Sequence, residues 1–386
     1  MTTDALPTGF HATVANIGVK DGSDDFVVIH AEGPHVAASG VFTQSRFAGP
    51  SVHISRQHLA AGTPSAIVIV SKNANVANGA DGVADAHAVL DHVAARWNRR
   101  PDDFLLASTG VIGRRYPIAS MASAIDALDP QAPSADLRAA AHGIMTTDTV
   151  EKVAVAHVEG SDAVVCGIAK GVGMIEPDMA TMIAVVMSDA HVAQSDLSAI
   201  HSRVTDLTFN CVSVDTDTST SDTAVVLTSG YHDVELSSFE AALQQVQTAL
   251  TKAIAADGEG AETLIEVTVT GARDTEQARR VAKSIVNSPL VKTAVHGADP
   301  NWGRVAMAIG KCNDSDIHDD RCRISFGGTE VYPRTIGTDV LADLETYLRG
   351  DMVSIEADLG IADGSATVWG CDLTDGYIRI NADYTT

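Results

Sequence analysis

The segment whose residues could most clearly carry out a reaction runs from Lys170 to Met187. It reads K-G-V-G-M-I-E-P-D-M-A-T-M-I-A-V-V-M. A glycine-rich turn and an acidic, proline-bearing segment lead to Ala180 and Thr181, and an unbroken apolar run follows. A short apolar run of this kind predicts a buried strand that begins at Thr181. A threonine hydroxyl becomes a nucleophile when a base lies beside it, and its own α-amine can serve once the preceding peptide bond is cut.

The free α-amine suits that role because it titrates at about 7.7–8.0 and can accept a proton near neutral pH. The small Ala180, the turn before it and a rigid strand behind Thr181 favour self-cleavage between these two residues. A threonine that starts a strand is more often an ordinary residue at the edge of the core. This segment alone therefore leaves the role of Thr181 open.

Length and charge narrow the class of protein. The 386 residues include 26 basic and 50 acidic side chains, a net charge of −24, and they predict two core units or one large layered unit. Apolar residues make up 45% of the chain and aromatic residues only 4%, so the core must consist of Ala, Val, Ile and Leu. The acidity argues against nucleic-acid and membrane partners and fits a protein that binds small molecules.

The five cysteines have no Cys-x-x-Cys pair, which argues against a disulfide framework and a zinc site. The N-terminal residues have no basic region with an apolar core, and no apolar run reaches the length of a membrane span. The glycine-rich segment 167–173 lacks the Gly-Lys-Ser/Thr of a phosphate loop, and the histidines are scattered. We expect a cytoplasmic protein with neither a metal nor a cofactor.

Strand and helix patterns alternate along the whole chain, with no repeat and no linker. This predicts a layered α/β or α+β fold in which helices cover sheets. Ser237 and Glu240 form a capping-box pattern at one helix start, and Ser288-Pro289 should end another helix. Strands are predicted at 25–29, 40–43, 66–70, 104–107, 161–170, 181–187, 224–227 and 265–269, and helices at 82–97, 135–142, 195–209, 237–256, 274–287 and 341–348.

Four further segments have residues that could form a site. Ser108-Thr109-Gly110 follows a buried strand, where a hydroxyl and backbone N–H groups could stabilise an oxyanion. Glu259 lies in a Gly-rich loop after a helix, and could bind an ammonium group. The other two are G-A-D-P-N-W-G-R (297–304) and the C-terminal tail with Asn381 and Thr386. A structural turn, a solvated glutamate or a frayed tail would explain each of them equally well.

The central segment closely resembles the self-cleavage and nucleophile motif of the ornithine acetyltransferases, or glutamate N-acetyltransferases. The resemblance extends over essentially the whole chain. Further segments match in the same order: G-V-F-T, S-T-G-V-I-G, M-T-T-D-T, V-D-T-D-T-S-T, D-G-E-G-A, V-K-T-A-V-H-G-A-D-P-N-W-G-R and N-A-D-Y-T-T.

The resemblance implies a two-domain α/β fold, layered like the N-terminal-nucleophile hydrolases but connected differently. It implies cleavage between Ala180 and Thr181 into an α chain, 1–180, and a β chain, 181–386, which assemble as a heterotetramer of two of each. Thr181 would take acetyl from N-acetylornithine and pass it to glutamate by a ping-pong route. An autoprocessed amidase or aminopeptidase with the same nucleophile is the alternative.

The resemblance carries over to individual positions. Thr109 and Gly110 match the oxyanion donors, and Glu259 matches an acidic residue near the substrate and the nucleophile's amine. The catalytic set is then Thr181, Thr109, Gly110 and Glu259. The substrate contacts are Thr146, with Thr147 beside it as the near alternative, Lys170, Thr181, Glu259, Asn381 and Thr386.

The sequence departs from the family pattern in two loops. Residues 71–75 read S-K-N-A-N where N-S-G-N-A-N is expected, and residues 220–223 read T-S-D-T where T-N-D-T is expected. Neither departure falls in the nucleophile motif, so the self-cleavage prediction stands. They leave open the substrate range and the pathway that the enzyme serves.

Overall fold

The computed structural model describes residues 4–132, 134–176, 182–334 and 336–383. The cleavage site predicted at Ala180 and Thr181 lies outside these residues, and so does Thr386.

The described chain forms two compact units. The first comprises the described residues up to Asn210 together with Asp217–Leu250, and the second comprises Cys211–Thr216 and the described residues from Thr251 onward. The predicted division into 1–180 and 181–386 concerns a cut in the chain rather than a compact unit, and it stays a prediction.

Fourteen strands occur within the described ranges, in three sheets. They are β1 Phe10–Ala15, β2 Phe26–Ala31, β3 Ala37–Phe42, β4 Ala66–Val70, β5 Phe104–Ser108, β6 Lys152–His157, β7 Val164–Lys170, β8 Ile183–His191, β9 Thr223–Asp233, β10 Leu264–Ala272, β11 Arg323–Phe326, β12 Thr329–Tyr332, β13 Met352–Asp358 and β14 Gly364–Cys371.

Eleven α-helices lie in the same ranges, and among the residues described none is long and apolar enough to cross a membrane. They are α1 Pro50–Ala61, α2 Gly79–Trp97, α3 Ile118–Ala127, α4 Leu137–Gly143, α5 Gln194–Leu207, α6 Leu236–Ala256, α7 Thr275–Val286, α8 Pro289–His296, α9 Trp302–Gly310, α10 Thr338–Tyr347 and α11 Asp375–Asp383.

The first unit is layered as helices, sheet, sheet and helices. One sheet has the strand order β1-β2-β4-β5 and the other β3-β9-β8-β7-β6. Residues from both sheets and from α4 share one apolar cluster, so the sheets pack face to face. Helices α2 and α3 cover the outer face of the first sheet. Helix α5 contacts β3, and α6 packs so closely on β7 that a side chain at Gly167 would meet Val246 and Leu250.

The strand sequences explain this layering. Side chains alternate between the two faces of a strand, so a strand buried on both faces is apolar throughout. In β5, Leu105 points into the cluster between the sheets, whereas Leu106 points into the cluster under the helices. The mixed, layered α/β class predicted from the sequence is confirmed.

The second unit contains the third sheet, with the order β12-β11-β13-β10-β14. Helix α7 packs on β10 and β14, and α9 packs on α7. Asp274 caps α7 by accepting a hydrogen bond from the Gln277 N–H at 2.7 Å, which confirms the predicted helix start.

One predicted helix start is wrong, and one predicted helix end is confirmed. Helix α6 begins at Leu236, so Ser237 lies inside the helix, and the N–H of Phe239 donates to the Glu235 carbonyl. Helix α7 ends at Val286, just before Ser288-Pro289, as predicted. The sequence analysis missed that these residues also begin α8, with Ser288 as the N-cap and Pro289 in the first turn, where proline is favourable. The sequence analysis also missed α1, α3, α9 and α11.

Leu105→Ala should lower the free energy of unfolding by about 2–5 kcal/mol, because it removes a fully buried side chain from the cluster between the sheets. Urea denaturation would measure the change. Leu290→Ala makes the same chemical change at a side chain that is 51% exposed, and it should alter stability by no more than about 0.5 kcal/mol. Equal losses in the two variants would contradict this assignment of the core.

Candidate active site

The loop after β5 contains the predicted oxyanion donors. A side chain at Gly110 would collide with the Lys72 backbone, and its φ of +128° also requires glycine. The N–H of Thr109 donates to the Val70 carbonyl at 3.1 Å. Among the described residues, the Thr109 hydroxyl and the Gly110 N–H have no hydrogen-bond partner, so one hydroxyl and one amide are available as a donor pair.

A buried carboxylate, that of Asp148, organises the predicted substrate-binding residues of the first unit. It accepts hydrogen bonds from the N–H of Thr146 at 3.1 Å, the N–H of Gly171 at 2.7 Å and the Lys152 ammonium at 2.8 Å. Burial alone would raise the pKa of Asp148, but Lys170 and Lys152 outweigh it, and the pKa lies below its ordinary value. Thr146 and Lys170 therefore belong to one charged network around Asp148.

Lys170 ends β7 opposite Ile183, the first residue of β8, and only 3% of its surface is exposed. Its ammonium interacts electrostatically with the carboxyl groups of Asp148 and Asp222. The ladder between β7 and β8 fixes the lysine directly beside the strand that follows the predicted nucleophile. A buried ammonium held in this way can bind a carboxylate ligand.

Asp222 holds the backbone of the residue after Thr181. Its Oδ1 accepts a hydrogen bond from the Met182 N–H at 2.7 Å, and the side chain is fully buried. The buried Oδ2 has no hydrogen-bond partner among the described residues. Burial raises the pKa of Asp222 well above its usual range, against the opposing effects of the Met182 amide, Lys170 and Thr43.

Glu259 lies in the loop after α6, in the second unit. Its Oε2 accepts a hydrogen bond from Asn381 Nδ2 at 2.9 Å, so two predicted substrate contacts meet. A side chain at Gly260 would collide with the backbone at Tyr377, and the Thr374 hydroxyl donates to the Gly260 carbonyl at 2.6 Å. These close contacts dock α11 on the loop, which is why the C-terminal segment reaches Glu259.

Glu259 also lines a cavity of about 200 Å³ that lies wholly within the second unit. Lys292, Asp215, Asp372 and Tyr377 are among its other polar lining residues. The Tyr377 hydroxyl lies 3.4 Å from Asp215 Oδ2.

One group of side chains could offer three ligand atoms to a metal. Glu262, His296 and Asp372 place these atoms within 4.8 Å of one another. Asp372 already accepts hydrogen bonds from the N–H groups of Glu262 and Thr263 at 2.9 and 3.0 Å, and His296 Nδ1 lies 3.1 Å from its other oxygen. These contacts explain why the three side chains lie together, because they hold the loop in place. Residues so far apart in sequence have no spacing that could have predicted the group.

Sequence reasoning missed Asp148, Asp222 and Lys292 as site residues. Asp148 and Lys292 fall inside segments that match the family, M-T-T-D-T and V-K-T-A-V-H-G, so these motifs contained a signal, whereas Asp222 falls in T-S-D-T, which departs from the family pattern. The predicted roles of Thr181 and Thr386 fall on residues that the structure does not describe.

Known proteins match this chain over its full length. The model of the ArgJ family matches residues 11–386. A Nostoc sp. protein named arginine biosynthesis bifunctional protein ArgJ 2 is 51% identical and covers 100% of both chains. A Streptomyces clavuligerus protein named glutamate N-acetyltransferase Oat2 is 50% identical, covering 100% of this chain and 99% of that one. The structure of argJ from Bacillus halodurans is 40% identical, covers 51% of this chain and 96% of its own, and has a TM-score of 0.47.

These relatives identify the chain as an acyltransferase. It belongs to the ArgJ family, and the resemblance predicted from its motifs is confirmed.

Asp148→Ala should destabilise the protein by about 3–5 kcal/mol, because it removes the carboxylate that the buried Lys152 ammonium bonds. The pKa of Asp148 is lowered in the folded state. Its contribution is therefore complete above the unfolded value of about 3.9 and is lost as the pH falls through the lower folded value. Urea unfolding as a function of pH would measure both effects.

The exposed pair of Arg203 and Glu240 provides the control for that measurement. Glu240→Ala should cost no more than about 1 kcal/mol. Adding Lys152→Met to Asp148→Ala should recover part of the loss, since the lysine charge is then gone. A double variant no more stable than Asp148→Ala would contradict the assigned pairing.

Proposed function

We propose that this enzyme transfers an acetyl group from N2-acetylornithine to glutamate through an acetyl-threonine intermediate on Thr181. The unpartnered donor pair of Thr109 and Gly110 supports the proposal most directly, because acyl transfer passes through an oxyanion that needs such donors. The relative from Streptomyces clavuligerus is named a glutamate N-acetyltransferase, which supports the acceptor. The relatives' names that include arginine biosynthesis support the donor.

Maturation comes first in this proposal. The Thr181 hydroxyl attacks the Ala180 carbonyl, the peptide bond breaks, and water then releases the Ala180 carboxylate and leaves a free α-amine on Thr181. The α chain, 1–180, and the β chain, 181–386, remain together as a heterotetramer of two of each. Asp222 supports this step by holding the Met182 N–H directly after the cleaved bond.

Transfer then proceeds in two half-reactions. The α-amine of Thr181 takes the hydroxyl proton while the threonine oxygen attacks the acetyl carbonyl, and the donor pair stabilises the resulting oxyanion. The C–N bond breaks, and the proton passes to the departing ornithine amine. The glutamate amine attacks the acetyl ester in the same way and regenerates Thr181. Lys170, Thr146, Glu259 and Asn381 bind the amino-acid groups of the substrates.

Thr181→Ala should abolish both cleavage and transfer. Denaturing intact-mass measurement of the unaltered protein should give two fragments whose masses sum to the full chain plus one water. N-acetylornithine should add one acetyl to the fragment that begins at Thr181. Thr346→Ala, the same change at an exposed helical site, should leave both results unaltered. A Thr181→Ala protein that is still cut would refute the proposal, and equal loss of acetylornithine without glutamate would favour a hydrolase.

Asp222→Ala should slow self-cleavage by about ten- to hundredfold, because the Met182 N–H loses its acceptor. Asp222→Asn keeps an acceptor oxygen and mimics the neutral acid, so it should cleave nearly as fast as the unaltered protein. Asp189 is the matched control, because it lies near the other end of β8 and also accepts a backbone N–H, that of Val164, at 2.8 Å. If Asp189→Ala slows cleavage as much as Asp222→Ala, general loss of stability explains the effect.

A further inference from the structure

Lys292 is a buried cation with no compensating anion among the described residues. It lies on α8, lines the 200 Å³ cavity of the second unit, and has only 5% of its surface exposed. An ammonium group has three hydrogens to donate, and here one goes to the Val214 carbonyl at 2.9 Å. The described residues place no carboxylate within ion-pair distance of it. A buried charge left in this state is unfavourable unless a ligand supplies its partner.

The nearest other group does not provide that charge. The Cys371 Sγ lies 3.9 Å from the Lys292 ammonium. Burial raises the pKa of the Cys371 thiol, so the sulfur carries no negative charge at neutral pH. The geometry therefore leaves the lysine facing a cavity that an anion of small size can enter.

The same cavity presents groups of the opposite sign. Glu259 and Asp215 both line it, and Glu259 is the residue that matches a substrate contact of the family. In a ping-pong reaction one site receives two substrates in turn. The two proposed substrates both have a carboxylate and a nitrogen on the α-carbon, but their side chains differ in charge. The side chain of acetylornithine ends in an ammonium group, and that of glutamate ends in a carboxylate. A cavity with one buried ammonium group and neighbouring carboxylates can bind the side-chain end of either substrate.

We propose that Lys292 binds the side-chain carboxylate of the acceptor amino acid and thereby selects glutamate in the second half-reaction. This inference rests on the proposed function. The α-carboxylate is common to donor and acceptor, so a lysine that bound it would affect both half-reactions. Binding of the side-chain carboxylate affects only the second.

Lys292→Met tests this distinction. In a ping-pong reaction, kcat/KM for each substrate reports its own half-reaction. The variant should lower kcat/KM for glutamate by about ten- to hundredfold, the range for loss of a charge-assisted hydrogen bond. It should leave kcat/KM for N-acetylornithine and self-cleavage unchanged. Lys252→Met, which breaks an ion pair with Glu266 elsewhere in the second unit, should change neither substrate. Equal losses for both substrates, or no loss for glutamate, would overturn the proposal.

The unaltered enzyme provides a test that does not depend on the variant folding. Glutamine has nearly the shape of glutamate without its side-chain charge, so it should be a poorer acceptor by the same factor. In Lys292→Met, kcat/KM for glutamine should be close to that for glutamate, so the variant should lose most of the preference for glutamate over glutamine. An unaltered enzyme that uses glutamine as well as glutamate would refute the assignment.

Failure of the proposed function would look different. In that case the unaltered protein would form no acetylated fragment from N-acetylornithine. Calorimetric titration of the unaltered protein and of Lys292→Met with glutarate, a dicarboxylate without an amine, would still test the lysine. Binding that weakens in the variant supports an anion site at Lys292, and equal binding to both proteins overturns it.

Discussion

The candidate site of the first unit depends on one buried carboxylate. Asp148 bonds the backbone at Thr146 and Gly171 and the ammonium of Lys152, and it interacts electrostatically with Lys170. These groups come from a loop and from two strands of one sheet. Without this anion, two buried lysines would lose a carboxylate that both interact with, which is unfavourable. The network therefore explains how the protein keeps the positive charges of Lys152 and Lys170 buried.

The pKa values of the two buried aspartates of this unit are shifted in opposite directions. The lysines beside Asp148 lower its pKa, whereas burial raises that of Asp222, which has one amide bond and a more distant lysine. This contrast follows from environment alone, because the side chains are identical.

Much of the fold could be predicted from the sequence, because an apolar run such as 66–70 or 104–107 indicates a buried strand from neighbouring residues alone. Helix α9 could not, since its start at Asn301 and Trp302 lies in a segment with the glycine and proline content of a turn. At Ser288-Pro289 the same residues that should end one helix begin the next. Both errors occur where local sequence is compatible with two structures and the surrounding packing decides between them.

The sequence could predict those residues of the candidate site whose own functional groups would bind the substrate or take part in the reaction. Thr109, Gly110, Lys170 and Glu259 could be named because hydroxyl, amide and charged groups are recognisable in sequence. Their supports could not be named, because Asp148 and Lys292 derive their importance from burial and from neighbours remote in sequence. That no carboxylate of the described residues pairs with Lys292 depends on its three-dimensional surroundings, which no local sequence pattern encodes.

The strand order of the sheet that contains β7 and β8 bears on whether the chain is cut before or after it folds. The bond between Ala180 and Thr181 falls between β7 and β8 in sequence. In the order β3-β9-β8-β7-β6, the two strands that follow this bond are inserted between strands that precede it. Two chains produced by such a cut could separate only by breaking backbone ladders on both sides and opening a shared core. A continuous chain can assemble this sheet within one molecule, whereas two separate fragments would have to reach the same arrangement by bimolecular association.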